Sequence, residues 1–279
     1  MNYLEPLLSR LEKWRDLDRV AGPLASSVSA VLSPPPIRNL LGGKHLGHPL
    51  HPALIAVPLG AYGMAAVLDV CGQDEAADTA VATGLLGTVP AAATGLHDWS
   101  YTQGAERRVG FVHAAANSVA SVLYLASLLS RRAGHRGLGR CLSFAGLGVV
   151  SASGFLGGHL SYAQGVGVNR AGAPEPTEHW VEVGRIDDFD DGTPAVVDVD
   201  GEPVMVLRTG ERIRALHNTC SHLGGPLAEG EVRDGCIVCP WHGSAFDLGS
   251  GAVDTGPASI PQPRYELMVS DGHVRLRPA

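Results

Sequence analysis

Apolar residues divide this chain into two unlike halves. Before residue 169, four long uncharged runs cover 50–68, 79–96, 109–130 and 141 to about 168. Each approaches the ~20 residues with which a helix crosses a hydrocarbon core. Polar connectors at 69–78, 97–108 and 131–140 separate them. The runs are rich in Gly, Ala and Ser, which suits close helix contact in lipid, and Pro58 and Pro90 are tolerable there as kinks. Residues 45–168 are therefore predicted to form an α-helical membrane domain with four transmembrane helices.

From Trp180 onward the period changes. Short alternating or β-branched segments at 196–199, 204–207, 213–216, 236–239, 265–269 and 273–276 are punctuated by Gly, Asp and Pro turns. That is the pattern of an all-β domain, placed at 179–279 with 169–178 as linker. At the other end, Leu4, Leu7, Leu8, Leu11 and Trp14 recur at helical spacing. They predict an amphipathic helix over 3–20, lying on the membrane surface or against the rest of the protein. It lacks the continuous apolar core and the cleavage site of a signal peptide. Ser33-Pro34-Pro35-Pro36 then predicts a stiff, extended linker, so residues 1–44 read as helix plus linker.

Charge and cysteine usage narrow the function classes. A net charge of −7 and a pI near 5.9, with no basic run, argue against a nucleic-acid partner. Of the five cysteines, Cys71 and Cys141 fall in the first half and Cys220, Cys236 and Cys239 in the second. No paired spacing suggests a disulfide framework, which favours a reducing compartment.

The chemistry is concentrated in Cys220-Ser221-His222-Leu223-Gly224-Gly225-Pro226 and Cys239-Pro240-Trp241-His242-Gly243-Ser244. Two Cys-plus-His pairs stand 16 residues apart. Thiolates and imidazoles are both competent metal ligands. Zinc is one reading of such a set, although zinc fingers usually pair Cys with Cys and His with His. The loops resemble those of the Rieske iron–sulfur family, in which two Cys hold one iron of a [2Fe–2S] cluster and two His the other.

By that resemblance, Cys220 and Cys239 would ligate the buried iron, His222 and His242 the outer one, and the fold would be a small β-sandwich. Ser244, Gly224 and Pro257 would support the cluster, Pro257 within a Gly256-Pro257-Ala258 loop that covers it. Quinol-oxidising members carry a disulfide between these loops, where Gly225 and Trp241 stand here. They also carry a Tyr, bonded to a cysteine sulfur, where this chain has Phe246. Both departures imply kinship with Rieske ferredoxins and a lower potential. Cys236 reads as a buried strand residue. The 37 residues after His242 hold one His, too few for the mononuclear iron of an oxygenase, and with no nucleophile, acid–base pair or nucleotide loop elsewhere no catalytic residue is expected.

His51, His97, His113 and His159 open or close successive spans, so alternating helix direction gathers them at one membrane surface, with His45 and His48 nearby. The domain after span four would emerge on that surface. Intramembrane ionisable groups often mark function. Two of the four could be axial ligands of haem b, or the group could serve a quinone or a metal; the plain alternative is interfacial residues satisfied by water and backbone. Asn117, one turn from His113, and Asp98, beside His97, are their candidate partners. Gly47-His48-Pro49-Leu50-His51-Pro52 resembles the opening of a bacterial four-helix membrane domain of unassigned function.

The expected protein is thus a membrane-anchored Rieske-type ferredoxin of the bacterial inner (cytoplasmic) membrane, with its iron–sulfur domain on the cytoplasmic side. It would pass single electrons between a soluble donor, a reductase or another ferredoxin, and a membrane or partner oxidoreductase. The rival readings are a redox enzyme acting through haem or quinone at the membrane histidines, and a redox sensor.

Overall fold

The computed structural model describes residues 4–279; Tyr3, the start of the expected first helix, lies outside them. The chain forms two compact units, one of residues up to Pro34 with Pro49–Val166, the other of Pro35–His48 with Gly167–Ala279.

In the first unit, the amphipathic stretch is two helices instead of one. Helix α1 (Glu5–Lys13) ends at Trp14, a short 3-10 turn follows, and α2 (Asp18–Leu32) begins anew. Arg108 accounts for the break. Its Nε donates to the Glu12 carbonyl freed at the end of α1, and its Nη1 grips both oxygens of Asp18. Leu8, Ala21 and Ala25 are buried, so these helices pack on the protein.

The four spans follow. The first is α4 (His51–Leu54) running into α5 (Ala56–Val70). The junction falls where Pro58 cannot donate to the Leu54 carbonyl. Helices α6 (Asp74–Ser100), α7 (Gly104–Arg132) and α8 (Arg136–Tyr162) complete the set. All four are long and apolar enough to cross a membrane. The helices extend well into the expected connectors because the charges there are paired. Asp69, Asp74 and Asp78 meet Arg131, Arg136 and Arg140 in one network. The fourth helix stops at Tyr162, not near 168; Gln164 and Val166 N–H groups cap the carbonyls of His159 and Leu160.

Helices α5 and α7 each pack against both α6 and α8. Tyr62 and Tyr124 stack inside the bundle, ring centroids 3.6 Å apart. Outside, Leu86, Val89, Val122 and Leu125 are exposed, an apolar belt suited to lipid. The chain is a multi-pass membrane protein.

In the second unit, Ser33-Pro34-Pro35-Pro36 does not form an extended linker. Pro35 and Pro36 open helix α3 (Pro35–Leu41), because a first helical turn needs no N–H from them. The Asn39 side chain accepts the Gly256 N–H at 2.8 Å, and the Lys44 ammonium donates to the Asp254 carbonyl. Both contacts tie this segment to the β-domain.

That domain holds ten strands: β1 (Val181–Arg185), β2 (Pro194–Val199), β3 (Glu202–Thr209), β4 (Arg212–His217), β5 (Glu231–Arg233), β6 (Cys236–Val238), β7 (Ala245–Asp247), β8 (Val253–Thr255), β9 (Tyr265–Ser270) and β10 (His273–Pro278). They make three antiparallel sheets, β1-β10-β9, β2-β3-β4 and β5-β6-β7-β8. Asp200-Gly201, Asp234-Gly235 and Asp271-Gly272 all have positive φ and turn three of the hairpins. Phe189, Val204, Val206, Val274 and Leu276 form one core. A second joins Met205, Leu216, Ile237 and Phe246 to Cys220 and Cys239.

Candidate functional site

Two loops of the β-domain are built alike. The first follows β4, and the second joins β6 to β7. In each, the cysteine N–H donates to the carbonyl five residues on: Cys220 to Gly225, Cys239 to Ser244. Its carbonyl accepts from a glycine four residues on, Gly224 and Gly243. Both glycines have positive φ, 82° and 70°, which a side chain would oppose.

The tight turns aim backbone amides at sulfur. Cys220 receives the N–H groups of His222 and Leu223; Cys239 receives those of Trp241 and His242. The two thiols also hydrogen-bond to each other. That shared bond and burial push Cys220 up. The bond from Cys220, aided by the two amides, holds Cys239 down.

Both cysteines are buried, whereas His222 and His242 are half-buried. The imidazoles meet edge to face, centroids 5.2 Å apart and planes at 89°. Trp241 stands beside His242 and is 56% exposed. All four sequence-predicted donors are therefore brought together.

The support around them was only partly predicted. Ser244 is fully buried and its Oγ accepts the Ala258 N–H at 3.0 Å, which fixes the Gly256-Pro257-Ala258 loop. A Cβ on Gly225 would come 2.8 Å from Cys239 Sγ and 3.0 Å from the Trp241 ring. That glycine is what lets the loops touch. Phe246 is buried beside the two cysteines, while Cys236, on β6, is only half-buried and outside that core.

Gln262 had no sequence signal. It is buried, its Nε2 donates to the carbonyls of His217 and Thr219, and its Oε1 accepts the Ser221 N–H. Ser221 Oγ adds a bond to the Ile260 carbonyl. The segment after the Pro257 loop thus clamps the first cysteine loop.

The donors converge as a thiol pair and an imidazole pair. Two pairs suit a two-iron group that takes two protein donors per iron.

The membrane histidines of the first unit have separate surroundings. His51 and His113 place Nδ1 on the backbone carbonyls of Ala91 and Ser153. Asn117 does reach His113, and Asp98 does reach His97, at 3.1 Å each. His159 Nε2 bonds to Glu12 of α1, a partner 147 residues away that no local pattern marks. His45 and His48 belong to the other unit.

Comparison with known proteins agrees with this division. Residues 179–266 match the Rieske [2Fe-2S] domain, and residues 47–170 match a predicted membrane protein family, DUF2231. The anthranilate 1,2-dioxygenase ferredoxin subunit of Burkholderia cepacia is 36% identical over 97 residues, which is 35% of this chain and 90% of that protein. Ferredoxin CarAc of Metapseudomonas resinovorans is 33% identical over 96 residues, 34% of this chain and 90% of that protein. The solved ferredoxin of carbazole 1,9a-dioxygenase from Nocardioides aromaticivorans IC177 is 33% identical and aligns with 37% of this chain and all of its own, with a TM-score of 0.35.

Proposed function

The chain belongs to the Rieske [2Fe-2S] family through its β-domain, and from that premise we propose that it is a membrane-anchored Rieske-type ferredoxin. A Rieske [2Fe-2S] cluster is its cofactor. In this reading Cys220 and Cys239 hold the inner iron, and His222 and His242 the outer one. When bound, such a cluster takes up and releases one electron at a time.

The chain's own groups prepare that exchange. Backbone amides of 222, 223, 241 and 242 point at the cysteine sulfurs and favour their anionic form. Ser244, Phe246, Gly225 and the Ala258 loop close the sulfur side against water. The half-buried imidazoles form the edge through which electrons enter and leave. Trp241, exposed beside His242, is the apolar contact a redox partner would cover.

The donor is a soluble reductase or another ferredoxin, and the acceptor an oxidoreductase in or on the same membrane. The membrane is the bacterial inner membrane with the β-domain in the cytoplasm, which the lack of disulfides supports. The observation that carries the whole reading is the pairing of two buried thiols with two half-buried imidazoles in twin loops.

Electron paramagnetic resonance of the dithionite-reduced full chain in detergent tests it. A mixed-valent signal with histidine nitrogen coupling is expected, absent in Cys220→Ser and in His242→Ala. One zinc per chain without acid-labile sulfide would overturn the proposal.

A further inference from the structure

The twin cysteine loops are alike in their turns but not in what holds them. Cys239 follows directly on β6, whose Val238 is paired on one side with β5 and on the other with β7. The residue after it is Pro240, which has no N–H and a fixed φ. Cys220 has neither aid. Strand β4 ends at His217, Asn218 and Thr219 intervene, and Ser221 stands where the second loop has its proline. Ser221 is buried, so its N–H needs a partner within the protein.

One side chain supplies what is missing. Gln262 is 2% exposed. Its Nε2 donates to the His217 carbonyl at 2.7 Å and to the Thr219 carbonyl at 2.6 Å, and its Oε1 accepts the Ser221 N–H at 3.1 Å. A carboxamide can do all three at once, whereas an ionised carboxylate only accepts. The Cys220 N–H is held by the Gly225 carbonyl, and the Cys220 carbonyl by the Gly224 N–H. Both peptide units flanking Cys220 are therefore pinned at each end, and Gln262 holds one end of each. The next two amides along, those of His222 and Leu223, are the ones aimed at the Cys220 sulfur.

We propose that Gln262 is a positioning residue for electron transfer: by fixing the peptides on either side of Cys220 it keeps the His222 and Leu223 amides on the sulfur, and so raises the potential of the centre bound there. The proposal rests on Cys220 and His222 being cluster ligands. Amides on sulfur favour the form that carries the extra electron, because the sulfur is then more negative. Without the clamp the loop can turn about Cys220, the two bonds to sulfur lengthen, and the reduced form loses more than the oxidised one. The second loop needs no such residue, because β6 and Pro240 hold Cys239.

The test is a redox titration of the full chain in detergent, read by electron paramagnetic resonance of the reduced cluster. Gln262→Met is close in length and makes none of the three bonds. It is expected to shift the reduction equilibrium about tenfold towards the oxidised form, a fall of about 59 mV for one electron. Adding Ser221→Pro to Gln262→Met removes the stranded N–H and copies the second loop, and should recover about half of that fall or more. A residue that merely braced the fold would lower the melting temperature and leave the potential alone, so an unchanged or raised potential in Gln262→Met overturns the proposal. Should that variant lose its cluster, the double variant decides: a regained cluster supports the clamp, and a cluster still missing overturns it. A parent chain without a reducible cluster would sink the ligand assignment and this proposal together. A normal parent beside an unshifted Gln262→Met sinks this proposal alone.

Discussion

Asp69 and Arg131 form a forked ion pair with both side chains shut from solvent, Nη1 to Oδ1 2.7 Å. They stand 62 residues apart, as do His51 and His113 and Tyr62 and Tyr124, so the hairpins α5–α6 and α7–α8 repeat one motif, to which one contributes the acid and the other the base. Asp74 likewise pairs with Arg136, while Asp78 meets Arg131 and Arg136, and Arg140 meets Asp69 and Asp74. Charge complementarity between the repeats thus locks α5 and α6 to α7 and α8. Arg131→Ala is expected to cost about 3–5 kcal/mol, because it strands a buried carboxylate. The value should fall at the lower end, since Arg140 stands 3.7 Å from Asp69. Replacing both partners, Asp69→Leu with Arg131→Met, should be close to neutral. Apparent melting temperature in detergent checks both, and an unchanged Arg131→Ala protein would refute the lock.

At the cysteine loops, Gly225→Ala forces a methyl to 2.8 Å from Cys239 Sγ. Relief requires the Cys239 sulfur or the Trp241 ring to move. Overpacking of this kind costs about 1–3 kcal/mol. The expected result is a lower iron content per chain with β-domain circular dichroism retained. Full iron content in Gly225→Ala would show that the loops tolerate separation.

Phe246 is fully buried in the core that contains both cysteines. Phe246→Tyr adds a hydroxyl donor to that core. A hydrogen bond to sulfur stabilises the reduced state. A net gain of about 1.4 kcal/mol corresponds to about 60 mV for a one-electron couple. The midpoint potential should therefore rise by tens of millivolts in a redox titration. A fall, or no change with the protein intact, would place the hydroxyl away from sulfur.

The elements that were legible in the sequence share a cause: each rests on a local pattern. Uncharged runs mark the spans because lipid admits no unpaired charge, and the Cys–His spacing marks the loops because ligands must share a turn. What was missed depends on partners far along the chain. The helix ends looked like polar connectors until Asp69 met Arg131. The triple proline looked like a spacer because nothing nearby shows that Asn39 holds Gly256. Gln262, between two prolines, reads as an ordinary loop residue, yet it ties down the first cysteine loop through three bonds. Strands β5, β7 and β8 span three residues each, too few for alternation to register. The 62-residue repeat of the helical hairpins is obscured in the sequence because its halves keep His, Tyr and Gly but exchange acids for bases.

Glu12 links α1 to α8, accepting from His159 Nε2 at 2.8 Å and from Gln164 at 2.9 Å. Its bond with His159 holds the carboxyl below the ordinary 4.5. A depressed folded-state value means that this stabilisation is complete above about pH 4.5 and is lost as pH falls through the folded value. Helix α1 should therefore loosen below pH 4.5, seen as faster hydrogen exchange at residues 5–13 once the intrinsic pH dependence is removed. The pair is partly exposed, so the change should be modest, about five-fold for an interaction of ~1 kcal/mol. Glu12→Gln keeps an acceptor but cannot titrate, and its exchange should be flat across the same window. Equal acid loosening in the parent and Glu12→Gln would assign the transition to another group and leave Glu12 a passive contact.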